Sequence, residues 1–234
     1  MVSAGLLSEP TTRCITTHFD LRRFTISADI SSYSDAWQTQ DDQQAAARQR
    51  SSELGAAAPS RTAAAIVSAL VAATGARAVV EVGTGTGVSG LAIFGGMADD
   101  GVLTTIDAGG NHQSAAKAAF SAANIDPGRA RLITGVPSEV LPRLTDAAYD
   151  AVVINDLAAD PGAYLDQALR LLRVGGVVVL ANVLGNDGAV ADPIQRDPRT
   201  TALRELGESV KANDNLTAAL LPLDDGLLVA VKRA

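Results

Sequence analysis

The stretch Glu81-Val82-Gly83-Thr84-Gly85-Thr86-Gly87-Val88-Ser89-Gly90 carries the densest chemical information in the sequence. Closely spaced glycines let the backbone turn sharply and approach a ligand with no side chain in the way. A helix that begins just after them offers unpaired N–H groups and a positive dipole end to an anionic group. Gly85-x-Gly87-x-x-Gly90 also satisfies the dinucleotide fingerprint, which alone is a weak signal. Glu81 separates the ligand classes. At the carboxyl end of a strand, two residues before the first glycine, its carboxylate would repel a pyrophosphate. The same carboxylate can take charge-assisted hydrogen bonds from an ammonium such as that of S-adenosylmethionine. Asp107, at the end of the following strand, is placed to accept from ribose hydroxyls, a role that serves either ligand. The reading favours a methyl donor; a nicotinamide cofactor and a glycine turn that binds nothing stay open.

The elements that must hold these residues alternate regularly after Gly75. Short β-branched runs at Ala78–Val82, Val102–Ile106, Arg131–Thr134, Ala151–Ile154 and Val177–Leu180 are separated by helical segments at Ser89–Met97, Asn111–Ala123, Ser138–Leu144 and Tyr164–Leu172. Strands that are apolar throughout are covered on both faces, as in a parallel sheet packed between helices. Asp126-Pro127-Gly128 and Gly175-Gly176 read as turns feeding two of the strands. A helix over Thr201–Ala212 leads to Leu216–Leu221, Asp225-Gly226 and Leu227–Val231, the pattern of a β-hairpin. The expected fold is α/β: a Rossmann-like, seven-stranded, mostly parallel sheet with a C-terminal antiparallel hairpin and helices on both faces. Upstream, Gln43–Leu54 and Arg61–Ala73 are Ala-rich helices, with Ser60 as an N-cap and Gly75 as a stop. Residues 1–37 lack periodicity and are expected to form an irregular arm, leaving 38–234 as one domain.

Composition narrows the function further. Twenty-six acidic against 19 basic residues give a net charge of −7, and no Lys/Arg cluster supplies a nucleic-acid footprint. The apolar runs are too short for a membrane span. The single cysteine, Cys14, excludes an internal disulfide and suits a reducing compartment, so a cytosolic protein is expected. Cys14 has no adjacent base, His18 and His112 are too few for a histidine metal site, and His112 reads as a surface residue. Tyr149 and Tyr164 read as packing residues.

The glycine stretch resembles the E-[IV]-G-T-x-T-G-[YV]-S signature of the catechol and caffeoyl-CoA O-methyltransferase family. Thr104-Thr105-Ile106-Asp107, Leu171-Leu172-Arg173-x-Gly175-Gly176 and Leu221-Pro222-Leu223-x-Asp225-Gly226-Leu227 match further blocks, and the likeness runs from about Arg48 to the C-terminus. It looks closest to provisionally assigned O-methyltransferases of actinobacteria. The resemblance implies S-adenosylmethionine as cofactor, contacted by Glu81, Gly83, Thr84, Gly85, Ser89, Asp107 and Asn155. Pro59 and Ala108 would line its site, and Val136 to Ser138 would lie beside the adenine. It also implies a small-molecule acceptor and a homodimer built on the N-terminal helices.

The family's divalent ion is held by an Asp after strand four and an Asp-Asn pair after strand five, with a Lys nearby. The corresponding residues here are Asn155, Ala181-Asn182 and Ala158. Hard divalent cations favour anionic oxygen, so no metal is expected at these positions. Asp156, Asp160, Asp187 and Asp192 are close in sequence and leave a rearranged metal site open, although they read more readily as solvated loop carboxylates and turn formers. Gly109-Gly110-Asn111 replaces the family's Asp-Pro-Glu. The expected activity is metal-independent methyl transfer to a hydroxyl or carboxylate, with Asn155 orienting the acceptor and no catalytic residue identified. The alternative is a catalytically degenerate homologue that holds the cofactor without turnover.

Overall fold

The computed structural model of the protein describes residues 30–157 and 160–234. Helices α1 (30–37), α2 (Asp42–Leu54) and α3 (Arg61–Ala73) precede β1 (Ala78–Val82), α4 (Val88–Gly96), β2 (Val102–Asp107) and α5 (Gly110–Ala122). There follow β3 (Ala130–Thr134), α6 (Pro137–Val140), β4 (Tyr149–Ile154), α7 (Pro161–Leu171), β5 (Leu172–Ala181), α8 (Pro198–Ala212), β6 (Leu216–Leu221) and β7 (Leu227–Lys232). The seven strands form one sheet in the order β3-β2-β1-β4-β5-β7-β6. β1 to β5 are parallel, and β7 runs antiparallel between β5 and β6. The order reverses beside β1, and β1 and β4 lie side by side, so their carboxyl ends open a crevice at the switch point.

Alternate strand residues feed two cores. Val80, Val82, Val152, Ile154, Val178 and Leu180 pack with α7 and α8 side chains such as Leu165, Leu171, Leu203 and Leu206. Val79, Ala151, Val153, Val177 and Val179 pack with Val67, Val71, Leu91, Ile93 and Phe120 from α3, α4 and α5. Each covered Val, Leu or Ile contributes about 1.5–3 kcal/mol relative to exposure, so the central strands are the rigid part of the molecule.

Local signals act largely as the sequence implies. Ser60 caps α3 by accepting from the Ala63 N–H at 3.1 Å, and Asp126 closes its turn by accepting from the Gly128 N–H at 2.7 Å. Tyr149 and Tyr164 pack into the core. Some expectations fail. The helix over Ser138–Leu144 is α6 followed by a 3-10 turn at Leu141–Arg143, because Pro142 has no N–H for an α-helical bond. Gly175-Gly176 is no turn before β5. It lies inside the strand, where the register with β4 shifts between Tyr149 and Ala151 and Gly175 takes φ 80°. Residues 30–37, expected to be irregular, are helical, and Asp35 accepts from the Thr62 N–H at 2.8 Å, adding a partner to the first turn of α3. The rest of the N-terminal arm, with Cys14 and His18, lies outside the described residues, as does Ala158.

Candidate functional site

Strand β1 ends on Glu81 and Val82 and passes into the glycine loop. Gly83 turns at φ 84°, and a Cβ there would sit 3.2 Å from the Asp156 nitrogen and 3.3 Å from Asn155 Cβ. Glycine therefore lets the loop press against the end of β4. Gly87, also left-handed, opens α4 without a side-chain cap, which leaves the helix N-terminus free for a ligand.

Glu81 is wholly buried. Its Oε1 accepts from Ser89 Oγ at 2.5 Å and from Asn155 Nδ2 at 3.2 Å, and its Oε2 accepts from Thr105 Oγ1 at 2.6 Å. Burial pushes its carboxyl up to about 7, against the downward pull of these three hydrogen bonds and with a small upward push from Asp107. Being fully covered, the carboxylate presents no surface to a ligand. Ser89 and Asn155 stand at the cavity instead. Asn155 Nδ2 also approaches Gly83 O at 3.1 Å and Ser89 Oγ at 3.0 Å. Thr84 Oγ1 lies 2.6 Å from Thr105 Oγ1 and accepts from Gln113 Nε2 at 3.0 Å, so this polar cluster continues into α5.

Asp107 lies one strand over, at the end of β2. Its Oδ2 accepts from the Gly85 N–H at 3.0 Å and its Oδ1 from the Gly109 N–H at 2.7 Å. His112 is not a free surface residue: its Nδ1 lies 3.4 Å from Asp107 Oδ1. The Gly135 N–H donates to Asp107 O at 3.0 Å, which fixes the ends of β2 and β3 together. Ala108 and Val136 follow those ends and are both exposed, Val136 by 47%.

Across the loop, a cavity of about 210 Å³ touches Pro59, Ser89, Asn155, Asn182 and Asp225. Pro59 is held there by Arg48, whose Nη1 donates to its carbonyl at 2.5 Å. Asn182 Nδ2 donates to Asn155 O at 3.1 Å, joining the ends of β4 and β5. Among the acids near these ends, Asp156 is exposed, Asp160 caps α7 through the Ala163 N–H at 3.0 Å, and Asp192 accepts from the Ile194 N–H at 2.9 Å. Asp187 sits in a left-handed turn at φ 54°. Among the described residues no group of three or more His, Cys, Asp or Glu could hold a metal ion.

The structure thus gathers Pro59, Glu81, Gly83, Thr84, Gly85, Ser89, Asp107 and Asn155 around one crevice, with Ala108 and Val136 at its far end. Sequence reasoning missed Thr105, Gln113, Asp224 and Asp225. For Thr105 a signal existed, since a Thr-Thr pair in a strand apolar on both faces needs hydrogen-bond partners. Asp225 could be read only as a turn residue.

A sequence model of the O-methyltransferase family matches residues 28–233, beginning upstream of the Arg48 onset expected above. A provisionally named O-methyltransferase of Mycolicibacterium vanbaalenii is 48% identical over 189 residues, covering 80% of this chain and 83% of that protein. A solved protein from Corynebacterium glutamicum superposes with a TM-score of 0.82 at 32% identity, covering 89% of this chain and 98% of the other. An O-methyltransferase of Streptomyces achromogenes involved in tomaymycin synthesis, crystallised with S-adenosylmethionine, gives a TM-score of 0.79 at 26% identity, covering 89% and 96%. With the glycine loop, the carboxylate pair and the switch-point crevice in place, the chain belongs to the S-adenosylmethionine-dependent O-methyltransferase family.

Proposed function

We propose that this S-adenosylmethionine-dependent O-methyltransferase works without a divalent metal and acts on a small molecule at the 210 Å³ cavity. The observation that carries the reading is the donor set at the ends of β4 and β5. Asn155 spends its amide hydrogens on Glu81, Gly83 and Ser89, Asn182 donates to Asn155 O, and residue 181 is alanine. The β4 and β5 ends thus offer only neutral amide oxygens, and the two carboxylates at the same cavity, Asp225 and the Ser60-bound Asp224, fall short of a group of acids that could hold a hard dication. Rate acceleration then comes from holding the donor methyl and the acceptor oxygen in line, for which a closed, rigid junction is suited.

In this reading Asp107 takes the ribose hydroxyls, Ala108 and Val136 sandwich the adenine, and the Gly83–Gly85 turn, held by the Gly83 N–H on Ile106 O and the Gly85 N–H on Asp107, runs along the methionine end. Ser89 and Asn155 meet the ammonium and carboxylate. Glu81 is a positioning residue, acting through the orientation of Ser89 and Asn155. Asn155 also borders the acceptor cavity, so one amide serves both substrates.

The exposed apolar side chains of α1, Ile30, Tyr33 and Trp37, fall at helical spacing and support a homodimer built on that helix. No helix among the described residues is long and apolar enough to cross a membrane, and with a single cysteine in the sequence this supports a cytosolic location. The deciding experiment is an assay of phenols with the enzyme treated with chelator and then supplied with Mg²⁺. Equal turnover under both conditions is expected. Activity abolished by chelator and restored by Mg²⁺ would refute metal independence and point to Asp156 as the first ligand to test.

A further inference from the structure

The acceptor cavity has a marked charge character. Its walls are small and apolar, from Ala57, Ala58, Ala63, Val67, Leu223 and Leu227. The volume of about 210 Å³ is room for one substituted ring, since an apolar cavity of about 150 Å³ takes benzene. Its polar side chains are the Ser89 hydroxyl, the amides of Asn155 and Asn182 and the carboxylates of Asp224 and Asp225. Among the described residues lining it there is neither Lys nor Arg. The nearby Arg48 gives its Nη1 to the Pro59 carbonyl, and its charge acts on Asp35 and Asp224.

The two carboxylates are not equivalent. Asp224 is exposed, and its Oδ2 accepts from the Ser60 N–H at 2.9 Å, tying the β6–β7 turn to the start of α3. Asp225 is half-buried, and its carboxylate accepts no hydrogen bond from any described residue. Its backbone is nonetheless fixed. The Leu184 N–H donates to Asp225 O at 2.8 Å and the Val183 N–H to Gly226 O at 3.1 Å, holding the turn against the chain that follows Asn182. Gly226, at φ 92°, packs so closely on Leu184 that a Cβ would lie 2.5 Å from Leu184 Cγ. A rigid turn therefore holds an unspent carboxylate at the cavity.

We propose that Asp225, with Asp224 beside it, selects the acceptor: the cavity admits a single-ring hydroxyl compound that is uncharged or carries an amine, and turns away one that carries a carboxylate. The inference rests on reading this cavity as the donor–acceptor junction. A carboxylate entering it would lose water and meet the unspent charge of Asp225, while Asp224 is partly offset by Arg48 and the lining itself supplies no cation to pair with. An ammonium would gain a charge-assisted hydrogen bond to Asp225 in a partly desolvated site. The selection also favours a hydroxyl over a carboxylate as the methylated group.

The test uses the full chain loaded with S-adenosylhomocysteine and calorimetry with three matched rings: tyramine, 4-methylphenol and 4-hydroxyphenylacetate. Tyramine should bind about tenfold or more tighter than 4-hydroxyphenylacetate, with 4-methylphenol between them. Asp225→Asn should shrink the amine-to-acid ratio by about fivefold or more while cofactor affinity and melting temperature stay at wild-type values. Should that variant fail to melt cooperatively, the wild-type ratio alone carries the test. Equal or tighter binding of the acid, an unmoved ratio in a folded variant, or no binding of any ring to the loaded protein would overturn the proposal. Failure of S-adenosylhomocysteine itself to bind would instead overturn the cofactor assignments, and this proposal with them.

Discussion

Asn155 Nδ2 lies 3.2 Å from Glu81 Oε1, so the amide at the end of β4 is held by the buried carboxylate at the end of β1. The contact spans 74 positions of sequence and exists because the two strands are neighbours in the sheet. It fixes the Asn155 rotamer with its N–H groups turned toward Glu81, Gly83 and Ser89. The carbonyl end of the amide is then the part available to donors in the crevice. A carboxylate at 155 would face Glu81 as a second negative charge, which the wholly buried pocket would resist by keeping a proton. Asparagine at this position instead gives Glu81 an N–H donor, which an ionised aspartate could not supply.

The first consequence is a pH dependence. Glu81 has its carboxyl raised to about 7 by burial, well above the value it takes in the unfolded chain. A raised carboxylate favours the protonated form in the folded state, so its stabilising contribution is complete below about pH 4.5 and is lost as pH rises through about 7. Ligand-free wild type should lose on the order of 2–3 kcal/mol relative to Glu81→Gln between pH 5 and 8.5. Chemical denaturation of both proteins across that range measures it. Parallel profiles would show that Glu81 stays ionised throughout.

Cofactor affinity should depend on Asp107. Its oxygens accept from the Gly85 and Gly109 N–H groups, so it shapes the loop, and in the proposed reading it also takes the ribose hydroxyls. Asp107→Ala is expected to weaken S-adenosylmethionine binding ten- to hundredfold, from about 1.5–3 kcal/mol of lost charge-assisted hydrogen bonding. Isothermal calorimetry on the folded variant decides it, and an unchanged dissociation constant would remove Asp107 from the site.

Gly90 tests the packing beneath the loop. A Cβ at this position would lie 2.5 Å from Phe120 Cζ and 2.8 Å from Cε1, and Phe120 is itself buried edge-on against Phe94. Gly90→Ala should cost about 1–3 kcal/mol through forced repacking, outweighing alanine's better helix propensity. Thermal unfolding should show a lower melting temperature, with cofactor affinity reduced as the start of α4 shifts. A melting temperature at or above wild type would mean that Phe120 moves freely.

Much of this protein was settled by local sequence. The apolar runs gave the strands, Ser60 and Asp126 the cap and turn, and the glycines after Glu81 the loop, because each signal acts through backbone conformation and near neighbours. The position of Asp107 was equally visible, since β2 ends on it and the end of a strand in this topology faces the crevice. The tertiary structure decided what Glu81 touches. Thr105 and Asn155 reach it from positions 24 and 74 residues away, and their convergence buries the carboxylate, raises its proton affinity and hands the crevice to Ser89 and Asn155. It also decided that Asp225, legible in sequence only as part of a hairpin turn, stands at a cavity with Asn182 and Asn155. Such contacts depend on strand order and register, which arise from the packing of the whole sheet and which no short stretch of sequence encodes.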